Sequence, residues 1–505
     1  MELSNTQKMN DADSAAIHGA GIPSTRLMET AAGHLARAAL EVMGRNRRAV
    51  VFCGPGNNGG DGVAAAGILL KADVRVRVLL AGDRGRMTPD SLEMERRLIA
   101  LGGAVESFSP DDPALPGQLQ DAGVVIDALF GIGLRRALTG DALAAVRMIN
   151  AAGAPAVAAD IPSGVEADTG RILGDAVQCV RTVTFSRGKP GHFAEPGCIR
   201  CGRVDICDIG IPAALLADAG CGVFAVTERG VRLPGRPALS HKGSFGKLLI
   251  AGGSVGYTGA PSLCARAAVR GGAGLVYLGV PRSIYEITAV KNDEAMPFPL
   301  ADDADGRLSA AALPVLLERL ETCDQAVVGP GLGRSDGVRE LVLGLVENAT
   351  KPLLLDADAL WAVSGSLSSL ENACRPVVLT PHEGEFTRLT GVPCADRVGD
   401  ARRFAAEHGC ALVLKGHRTV CAFPDETVYI TTTGNAGMAK GGSGDVLAGV
   451  IGALMGQLPL REAVTYGVWL HGAAGDLCAE KYGEYGMTPS DLIEALPLVF
   501  KMMVR

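Results

Sequence analysis

The stretch AVVFCGPGNNGGDGVAAAGILLKA (49–72) contains the pattern from which the fold class can be read. An uninterrupted apolar run at 49–54 is typical of a buried strand, and the alanine-rich and leucine-rich residues after 62 are typical of a helix. Between them, GPGNNGGDG (54–62) combines glycines with two asparagines, so we expect a loop rather than a packed element. The N–H groups of such a loop and the N-terminus of the next helix can face an anion. The stretch therefore predicts a strand, a phosphate loop and a helix of an α/β protein.

The same alternation continues along the chain in two blocks. Further apolar runs of the first block lie at 74–82, 123–131, 155–164, 181–186 and 202–210, and those of the second at 246–254, 274–281, 325–333, 352–360, 376–385 and 411–420. Continuous apolar strands separated by amphipathic helices indicate parallel sheets that are covered on both faces. We expect a hairpin at 419–434 and two helices, beginning at GDVLAGVIGAL and AVTYGVWLHG, to close the second block.

A segment with a different composition and little periodicity separates the two blocks. Residues 211–240 contain several prolines and show little periodicity, which is typical of a domain boundary. We predict a first domain over 1–215, a linker over 216–234 and a second domain over 235–505. The blocks share no obvious internal similarity, so the chain is interpreted as a fusion rather than a duplication.

Composition excludes several classes of protein. Glycine makes up 67 of the 505 residues, about 13%, against a usual ~7%, but it follows no three-residue period, which excludes collagen. The apolar fraction of 48% excludes a disordered chain, and a net charge of −7 gives no support to a nucleic-acid partner. The longest uncharged apolar stretch, 446–460, is shorter than the ~20 residues of a membrane span. With no signal peptide evident, we expect a cytoplasmic protein without a membrane partner.

Because we expect a cytoplasmic protein, we also expect its 13 cysteines to be reduced thiols. Only Cys198, Cys201 and Cys207 are spaced closely enough to suggest a metal site. They lack a second CxxC or a CxxH nearby, so ordinary buried thiols are favoured.

Polar residues follow three strands of the first block. Asn58, Asp127 and Ser163 offer oxygen atoms suited to a hard cation of modest charge, because strand ends of a parallel sheet meet at one edge. Asp160 would remain free to act as a general base. Lys189 is interpreted either as an acid or phosphate contact or as a solvated surface lysine. Asp61 could hydrogen-bond ribose hydroxyls or cap the helix.

The second block has its strongest motif in NAGMAKGGSGDVLAGVIGAL (435–454). Gly442, Ser443 and Gly444 would present N–H groups at a helix N-terminus, where they can stabilise the charge of a transferring phosphate. Asp445 could take a proton from a hydroxyl that attacks the phosphoryl group, and the alternative is a helix cap.

Three more loops accompany this motif. Lys415 and Thr419 in KGHRT could contact a nucleotide, and His382 in PHEGE could contact a substrate or be an ordinary surface or core residue. GPGLG (329–333) is a further strand-end loop. In DADAL, Asp356 and Asp358 could join a Mg²⁺ or water network or have a structural role.

In the first block, LMETAA, VFCGPGNNGGDG, VVIDALFGIGL, DIPSG and TFSRGKPGH resemble, in this order, the NAD(P)H-hydrate epimerase domain, over roughly 1–215. The resemblance implies a Rossmann-like three-layer sandwich in which Asn58, Asp127 and Ser163 hold K⁺. It also implies that the hydrated nicotinamide dinucleotide is bound by Asn57, Asn58, Gly59, Gly60, Asp61, Gly131, Ile132, Gly133, Leu134, Arg135, Arg136, Ala137 and Asp160.

In the second block, HKGSFGKLLIAGGS, GPGLG, LDADAL, LTPHEGE, KGHRT and GMAKGGSGDVLAG look like the NAD(P)H-hydrate dehydratase domain, over roughly 235–505. The resemblance implies a ribokinase-like fold that uses Mg²⁺ and converts ADP to AMP. The implied nucleotide contacts are Lys415, Gly416, His417, Arg418, Thr419 and Gly444, and the implied substrate contacts are Ala260, Gly331, His382 and Asp445. Lys440 departs from the family, which usually has a small hydroxyl residue there, and could either strengthen nucleotide binding or point to solvent.

Together the two resemblances imply a bifunctional repair enzyme for NADHX and NADPHX, the hydrated forms of NADH and NADPH. The first domain would interconvert their R and S epimers, with Asp160 moving a proton. The second would dehydrate the S form after Asp445 activates its hydroxyl, and we expect a homo-oligomer. Two alternatives stay open here: a ribokinase-type small-molecule kinase with an accessory nucleotide-binding domain, and a first domain that binds partners without catalysis.

Overall fold

The computed structural model describes residues 1–371, 373 and 375–504. These residues form two compact units, one from Glu2 to Val223 and one from Phe224 onward that also includes Met1. Each unit is built on one large sheet with helices packed against it. Both units are α/β, which confirms the predicted fold class.

The first unit contains a seven-stranded parallel sheet in the order β3-β2-β1-β4-β5-β6-β7. Its strands are β1 (Arg48–Cys53), β2 (Arg75–Leu80), β3 (Val105–Ser107), β4 (Val124–Ala128), β5 (Ala156–Ala159), β6 (Arg181–Phe185) and β7 (Arg203–Cys207). Its helices are α1 (Thr6–Ser14), α2 (Ser24–Met43), α3 (Asn57–Lys71), α4 (Pro89–Ala100), α5 (Leu115–Gln120), α6 (Gly140–Ala151), α7 (Cys198–Cys201) and α8 (Ala213–Ala217). The sequence patterns missed β3, which has only three residues.

Alternate side chains of the central strands enter two cores on opposite faces of this sheet. Val51 and Ile126 pack on one face, while Phe52 and Val125 pack on the other. Strands buried on both faces explain the unbroken apolar runs in the sequence. The strand order reverses between β1 and β4, and ligands of open α/β sheets bind in the crevice at such a point.

The prediction that residues 54–62 form a loop is wrong for most of that stretch. Helix α3 begins at Asn57, directly after a three-residue turn, so NNGGDG forms its first turns and Asp61 lies inside the helix rather than at its cap. Glycine allows this packing because a Cβ on Gly59 would lie 1.8 Å from the carbonyl oxygen of Gly54. The glycines therefore serve close contact between helix and turn rather than an open loop.

The second unit contains a ten-stranded sheet in the order β11-β10-β9-β12-β13-β14-β15-β16-β17-β8. Its strands are β8 (Val223–Val226), β9 (Lys247–Ala251), β10 (Leu275–Pro281), β11 (Met296–Leu300), β12 (Gln325–Val328), β13 (Leu353–Leu355), β14 (Val377–Leu379), β15 (Ala411–Leu414), β16 (Val420–Ala422) and β17 (Val428–Thr431). From β11 to β15 the strands are parallel, and β16 pairs antiparallel with both β15 and β17. The hairpin predicted for 419–434 is thus confirmed, whereas β8 and β11 were not predicted.

Eleven helices of the described chain belong to this unit. They are α9 (Gly259–Arg270), α10 (Tyr285–Lys291), α11 (Leu313–Glu321), α12 (Asp336–Asn348), α13 (Asp358–Val363), α14 (Ser368–Glu371), α15 (Glu383–Thr390), α16 (Arg397–Glu407), α17 (Ser443–Met455), α18 (Leu460–Gly486) and α19 (Pro489–Met503). Three helices rather than the predicted two close the described chain. The third, α19, has a signal that the apolar pattern alone does not show: Thr488 and Asp491 form a capping box, and Pro489 occupies the first turn.

Two smaller expectations can be compared with the structure. Cys198 and Cys201 are buried and Cys207 is half-buried. Across the described residues, no helix combines the length and the apolar character that a bilayer crossing requires.

Candidate active sites

A cavity of about 480 Å³ opens in the first unit at the carboxyl ends of β1, β4, β5 and β6. Each of these strands is followed by a residue that the sequence had singled out, because parallel strands bring their carboxyl ends to one edge. Asn58, Asp160 and Lys189 all line the cavity. Of the three strand-end residues predicted to form a cation site, Asn58 lines this cavity, whereas Asp127 and Ser163 are not among its described lining residues.

Asp160 and Lys189 form a buried ion pair in this cavity. The Lys189 ammonium donates to Asp160 Oδ1 over 2.6 Å and to Thr184 Oγ1 over 2.8 Å. Lys189 is only 1% exposed, which excludes the surface-lysine interpretation. Burial raises the pKa of Asp160, but the Lys189 charge and the hydrogen bonds from Lys189 and Thr184 together outweigh it and bring the pKa below its ordinary value. Asp160 is therefore ionised at neutral pH.

His192 holds the backbone of this pair in place. Its Nδ1 accepts a hydrogen bond from the Lys189 amide at 3.0 Å, and its Nε2 donates to the Asp160 carbonyl oxygen at 2.7 Å. Burial and the Lys189 charge lower the pKa of His192 to about 4, so the ring stays neutral. Asp160 has a φ of 62°, a strained conformation for a residue with a side chain, as is found at functional sites.

The three predicted K⁺ ligands lie at the same edge of the sheet. Ser163 Oγ donates to Asp127 Oδ1 over 2.6 Å, and the Ser163 amide donates to Asp127 Oδ2 over 2.7 Å. Asp127 is completely buried, which raises its pKa to about 6 despite these hydrogen bonds. The Nδ2 atom of Asn58 is buried without a hydrogen-bond partner in the part of the chain that the structure describes. The donor set is composed of oxygen ligands that suit K⁺.

The cavity takes in eight of the residues predicted to bind the dinucleotide. These are Asn57, Asn58, Asp61, Gly131, Ile132, Gly133, Leu134 and Asp160. Gly59 and Gly60 are instead buried in the first turn of α3. Arg135 is paired with Asp168 at 2.9 Å, and Arg136 and Ala137 are exposed. None of these five lines the cavity.

Asp13 is a residue of this cavity that the sequence patterns missed. It lies on α1, whose first residue is attached to the neighbouring loop, because Thr6 Oγ1 donates to the Ile132 carbonyl oxygen over 3.1 Å. Burial raises the pKa of Asp13 to about 6, with Lys189 opposing and Asp160 adding to the shift. Within the described chain its carboxyl group makes no hydrogen bond or ion pair. The one available signal was its place on the same helical face as Met9, which also lines the cavity.

A second cavity, of about 760 Å³, opens in the second unit. Helix α17 begins at Ser443, after Gly442 adopts the left-handed φ of 103° that favours glycine. Gly442, Ser443, Gly444 and Asp445 all line the cavity, so the N-terminus of the helix faces it. This placement agrees with the predicted anion site, and Asp445 lies in the first turn rather than at the cap.

Asp445 differs from Asp160 in its surroundings. Burial and the charge of Asp356 raise the pKa of Asp445 to about 7, although Lys415 acts in the opposite direction. Lys415 is itself paired with Asp356 at 2.9 Å and lies 3.7 Å from Glu385. A carboxyl group with a pKa near 7 is well matched to general-base catalysis.

The two aspartates of DADAL have separate roles. Asp356 is buried and accepts hydrogen bonds from Lys415 and Thr380 through Oδ1, while its Oδ2 accepts none from the described residues. Asp358 instead accepts from the Gly333 amide at 2.9 Å and so stabilises the GPGLG loop. Only Asp356 lines the cavity.

Two other predicted residues line the cavity and also make hydrogen bonds that stabilise the local structure. His382 lines the cavity, but its Nδ1 also accepts from the amides of Gly384 and Glu385 and caps α15. Lys440 is exposed and lines the cavity, so neither of its two predicted roles is excluded. Its ammonium donates to the carbonyl oxygens of Tyr485 and Met487, at 2.7 and 2.5 Å.

The remaining predicted residues divide into two groups. Lys415, Gly416, His417, Thr419 and Gly444 line the second cavity. Arg418, Ala260 and Gly331 are not among its described lining residues. Ala260 and Gly331 are neighbours of each other, because a Cβ on Gly331 would lie 3.2 Å from that of Ala260. His471 lines the cavity from α18 and was not predicted.

Known proteins are similar to the chain over both units. Residues 248–498 match the NAD(P)H-hydrate dehydratase family, and residues 24–191 match the family described as YjeF-related protein N-terminus. A bifunctional NAD(P)H-hydrate repair enzyme from Moorella thermoacetica is 41% identical over 99% of this chain and 97% of its own length. Its counterpart from Thermofilum pendens is 38% identical over 100% of this chain and 97% of its own length.

Among solved structures, the ADP/ATP-dependent NAD(P)H-hydrate dehydratase from Bacillus subtilis, co-crystallised with ATP and Mg²⁺, is 32% identical. The similarity covers 55% of this chain and 97% of that one, with a TM-score of 0.48.

Proposed function

Because the chain belongs to the family of bifunctional NAD(P)H-hydrate repair enzymes, we propose that its two cavities house the two reactions of this repair. The enzyme interconverts the R and S epimers of hydrated NADH and NADPH, and it dehydrates the S form back to the reduced dinucleotide. We assign epimerisation to the first cavity and dehydration to the second. The residue roles below follow from the protonation states and contacts of each cavity.

In the first cavity, Asp160 and Asp13 are the proton-transferring pair. Asp160 is kept ionised by Lys189, and its Oδ2 accepts no hydrogen bond from the residues described, so this atom can take a proton. Asp13, with a pKa of about 6, carries a proton for part of the time at neutral pH. Carboxyl groups whose environments move their pKa values apart are suited to opposite acid and base roles.

Inversion at C6 of the hydrated ring requires its hydroxyl group to leave one face and return to the other. Asp13 would protonate the departing hydroxyl, which leaves as water while the ring nitrogen forms a double bond to C6. A water molecule would then add to the opposite face of C6, and Asp160 would take its proton. The reverse reaction uses the same groups with their roles exchanged, and solvent restores the starting protonation.

We assign K⁺ to Asn58, Asp127 and Ser163. Asn58 supports this assignment because no hydrogen bond within the described protein commits its carbonyl oxygen, which can bind a cation, whereas the unpartnered Nδ2 is a donor and cannot. The bound ion would supply a fixed positive charge near the dinucleotide. Replacing K⁺ by Na⁺ should slow epimer exchange and leave dehydration by the same chain unchanged. An equal rate in both salts would contradict the K⁺ assignment.

In the second cavity, the observation that carries the proposal is the position of Asp445 at the N-terminus of α17 beside Gly442 and Ser443. Asp445 would take the proton of the C6 hydroxyl group as the hydroxyl oxygen attacks the β-phosphorus of ADP. The attack breaks the bond between the β-phosphorus and the bridging oxygen and releases AMP. The backbone amides at the helix start would stabilise the charge on the transferring group. Phosphate would then leave C6 with the electron pair of the C6–O bond as a water molecule takes a proton from C5, and the C5–C6 double bond of the reduced ring forms.

The second cavity also fits Mg²⁺ held mainly by nucleotide phosphates. No group of three or more His, Cys, Asp or Glu residues suited to a metal occurs among the described residues. Asp356 offers one free carboxylate oxygen, and Mg²⁺ is commonly bound by one or two carboxylates together with substrate phosphates. When bound, the ion would neutralise phosphate charge.

One assay tests the whole proposal. The purified chain is mixed with both epimers of hydrated NADH, ADP or ATP, Mg²⁺ and K⁺, and recovery of reduced-nicotinamide absorbance is followed. Full recovery is expected with ADP. No recovery with either nucleotide would refute the function, and a stable phosphorylated product would instead indicate a small-molecule kinase.

Two variants separate the cavities in this assay. Asp160→Asn should consume only the S epimer and then stop. Asp445→Asn should still exchange epimers and bind nucleotide, but it should recover absorbance about 100-fold more slowly, as expected for a lost general base. Near-normal recovery by Asp445→Asn would exclude the base role.

A further inference from the structure

His471 has an unsatisfied hydrogen-bonding atom inside the second cavity. The residue lies on α18 and is 7% exposed, and it shares one helical face with Val468 and Gly472, which also line the cavity. Its Nε2 is buried and has no hydrogen-bond partner among the described residues. A buried polar atom without a partner costs about 1–3 kcal/mol, so a bound ligand that supplies the partner gains affinity.

The protonation state of His471 decides which ligand atom can pair with it. Burial lowers the pKa of the ring to about 4, and Lys415 adds to this effect. The imidazole is therefore neutral at physiological pH. Its hydrogen bond to the Ser443 backbone favours the protonated ring, as expected when a ring N–H donates to a carbonyl oxygen. The single N–H group of the neutral ring therefore donates to Ser443, and Nε2 is left as a hydrogen-bond acceptor.

A hydrogen-bond acceptor such as Nε2 can pair only with those parts of a nucleotide that carry a hydrogen-bond donor. Phosphate oxygens at neutral pH are acceptors and cannot pair with Nε2. The available donors of an adenine nucleotide are the 6-amino group of the base and the hydroxyl groups of the ribose. A nucleotide contact at Nε2 would therefore come from the nucleoside rather than from the transferring phosphate.

We propose that His471 is a specificity-determining residue that accepts a hydrogen bond from the nucleoside part of the nucleotide. This inference rests on the proposed use of ADP in the second cavity. Removing the donor from the ligand and removing the acceptor from the protein should have the same, non-additive effect, because each change deletes one partner of a single hydrogen bond.

Direct binding tests this proposal without depending on turnover. The full chain with Mg²⁺ is titrated calorimetrically with ADP, inosine diphosphate, 2′-deoxy-ADP and 3′-deoxy-ADP. The wild type should bind one analogue about 5-fold to 150-fold more weakly than ADP, the range that corresponds to 1–3 kcal/mol. Weak binding of inosine diphosphate would identify the 6-amino group as the donor, and weak binding of a deoxy analogue would identify a ribose hydroxyl.

His471→Leu should bind ADP and that analogue within twofold of each other, whereas His471→Gln, which retains an acceptor, should keep part of the preference. Val468→Ala is the matched control on the same face of α18, and it should change all four affinities by one common factor. Preserved discrimination in a folded His471→Leu protein would overturn the proposal.

The wild-type measurement decides the question even if the leucine variant does not fold. Binding of all four nucleotides within twofold by the wild type would show that no such hydrogen bond exists. Failure of the wild type to bind ADP at all would overturn the nucleotide site itself, which is a distinguishable result.

Discussion

The two cavities place the same chemical group, an aspartate beside a lysine, in opposite electrostatic conditions. In the first unit Lys189 is paired with Asp160 itself, and the pKa of Asp160 falls below its ordinary value. In the second unit Lys415 is paired with Asp356, and the pKa of Asp445 rises to about 7. The two aspartates therefore differ in protonation state because the lysine pairs directly with Asp160 in the first unit and with Asp356, not Asp445, in the second. Their positions at a strand end and at a helix start do not account for the difference.

The largest effect is expected from removing Lys189, the lysine that pairs directly with Asp160. Lys189→Met leaves the Asp160 carboxylate buried without a counter-charge, which costs about 3–5 kcal/mol. We expect the first unit to unfold at a lower urea concentration and epimer exchange to be lost. Lys8→Met, at an exposed position on α1, is the control and should match the wild type. Unchanged urea unfolding of Lys189→Met would show that the ion pair does not stabilise the unit.

The glycines of the two motifs, NNGGDG and GGSGD, provide a second contrast. Gly59→Ala would place a Cβ 1.8 Å from the Gly54 carbonyl oxygen, whereas no atom lies within 4 Å of a Cβ on Gly441. We expect Gly59→Ala to destabilise the first unit by about 2 kcal/mol or more and to slow epimer exchange. Gly441→Ala should leave denaturant unfolding and ADP affinity within twofold of the wild type. Equal effects of the two changes would mean that the close approach between Gly59 and Gly54 is relieved at little cost.

Opposite pH profiles would sharpen the comparison further. Dehydration needs ionised Asp445, so its rate should fall about tenfold per unit as the pH drops below about 7. Epimer exchange needs protonated Asp13, so its rate should fall about tenfold per unit as the pH rises above about 6. Initial rates of both reactions between pH 5 and 8.5 measure this.

Asp13→Asn is the control for the pH profiles. It should lower the rate of epimer exchange and abolish its decline above pH 6, while the profile of dehydration stays that of the wild type. Two wild-type profiles that rise together would exclude the acid role of Asp13.

The smallest effect is expected at Lys440. Its ammonium connects the loop before α17 to the carbonyl oxygens of Tyr485 and Met487, but the residue is exposed. Lys440→Met should therefore cost no more than about 1 kcal/mol and raise the KM for ADP a few-fold with kcat unchanged. Lys481→Met, on α18, is the control. A large fall in kcat would indicate that Lys440 contacts the transferring phosphate after all.

Prediction from sequence succeeded where one local pattern was sufficient. Apolar runs such as 49–54 predicted the central strands, because a strand buried on both faces must be apolar throughout. It failed for three-residue β3, and for NNGGDG, where glycine composition alone could not distinguish an open loop from the tightly packed start of a helix. Only the contact between Gly59 and Gly54 makes that distinction.

The sequence by itself determined the fold class, the order of the motifs and the chemical types of residue at the strand ends. The tertiary structure alone decided which of these residues meet and in which protonation state. Lys189, Asp13 and His471 carried no decisive local signal, because burial and neighbouring charges that are distant in sequence set their chemistry. Asp160 and Asp445 are the same residue type, and their pKa values diverge because burial acts on both while only Asp160 is paired with its lysine.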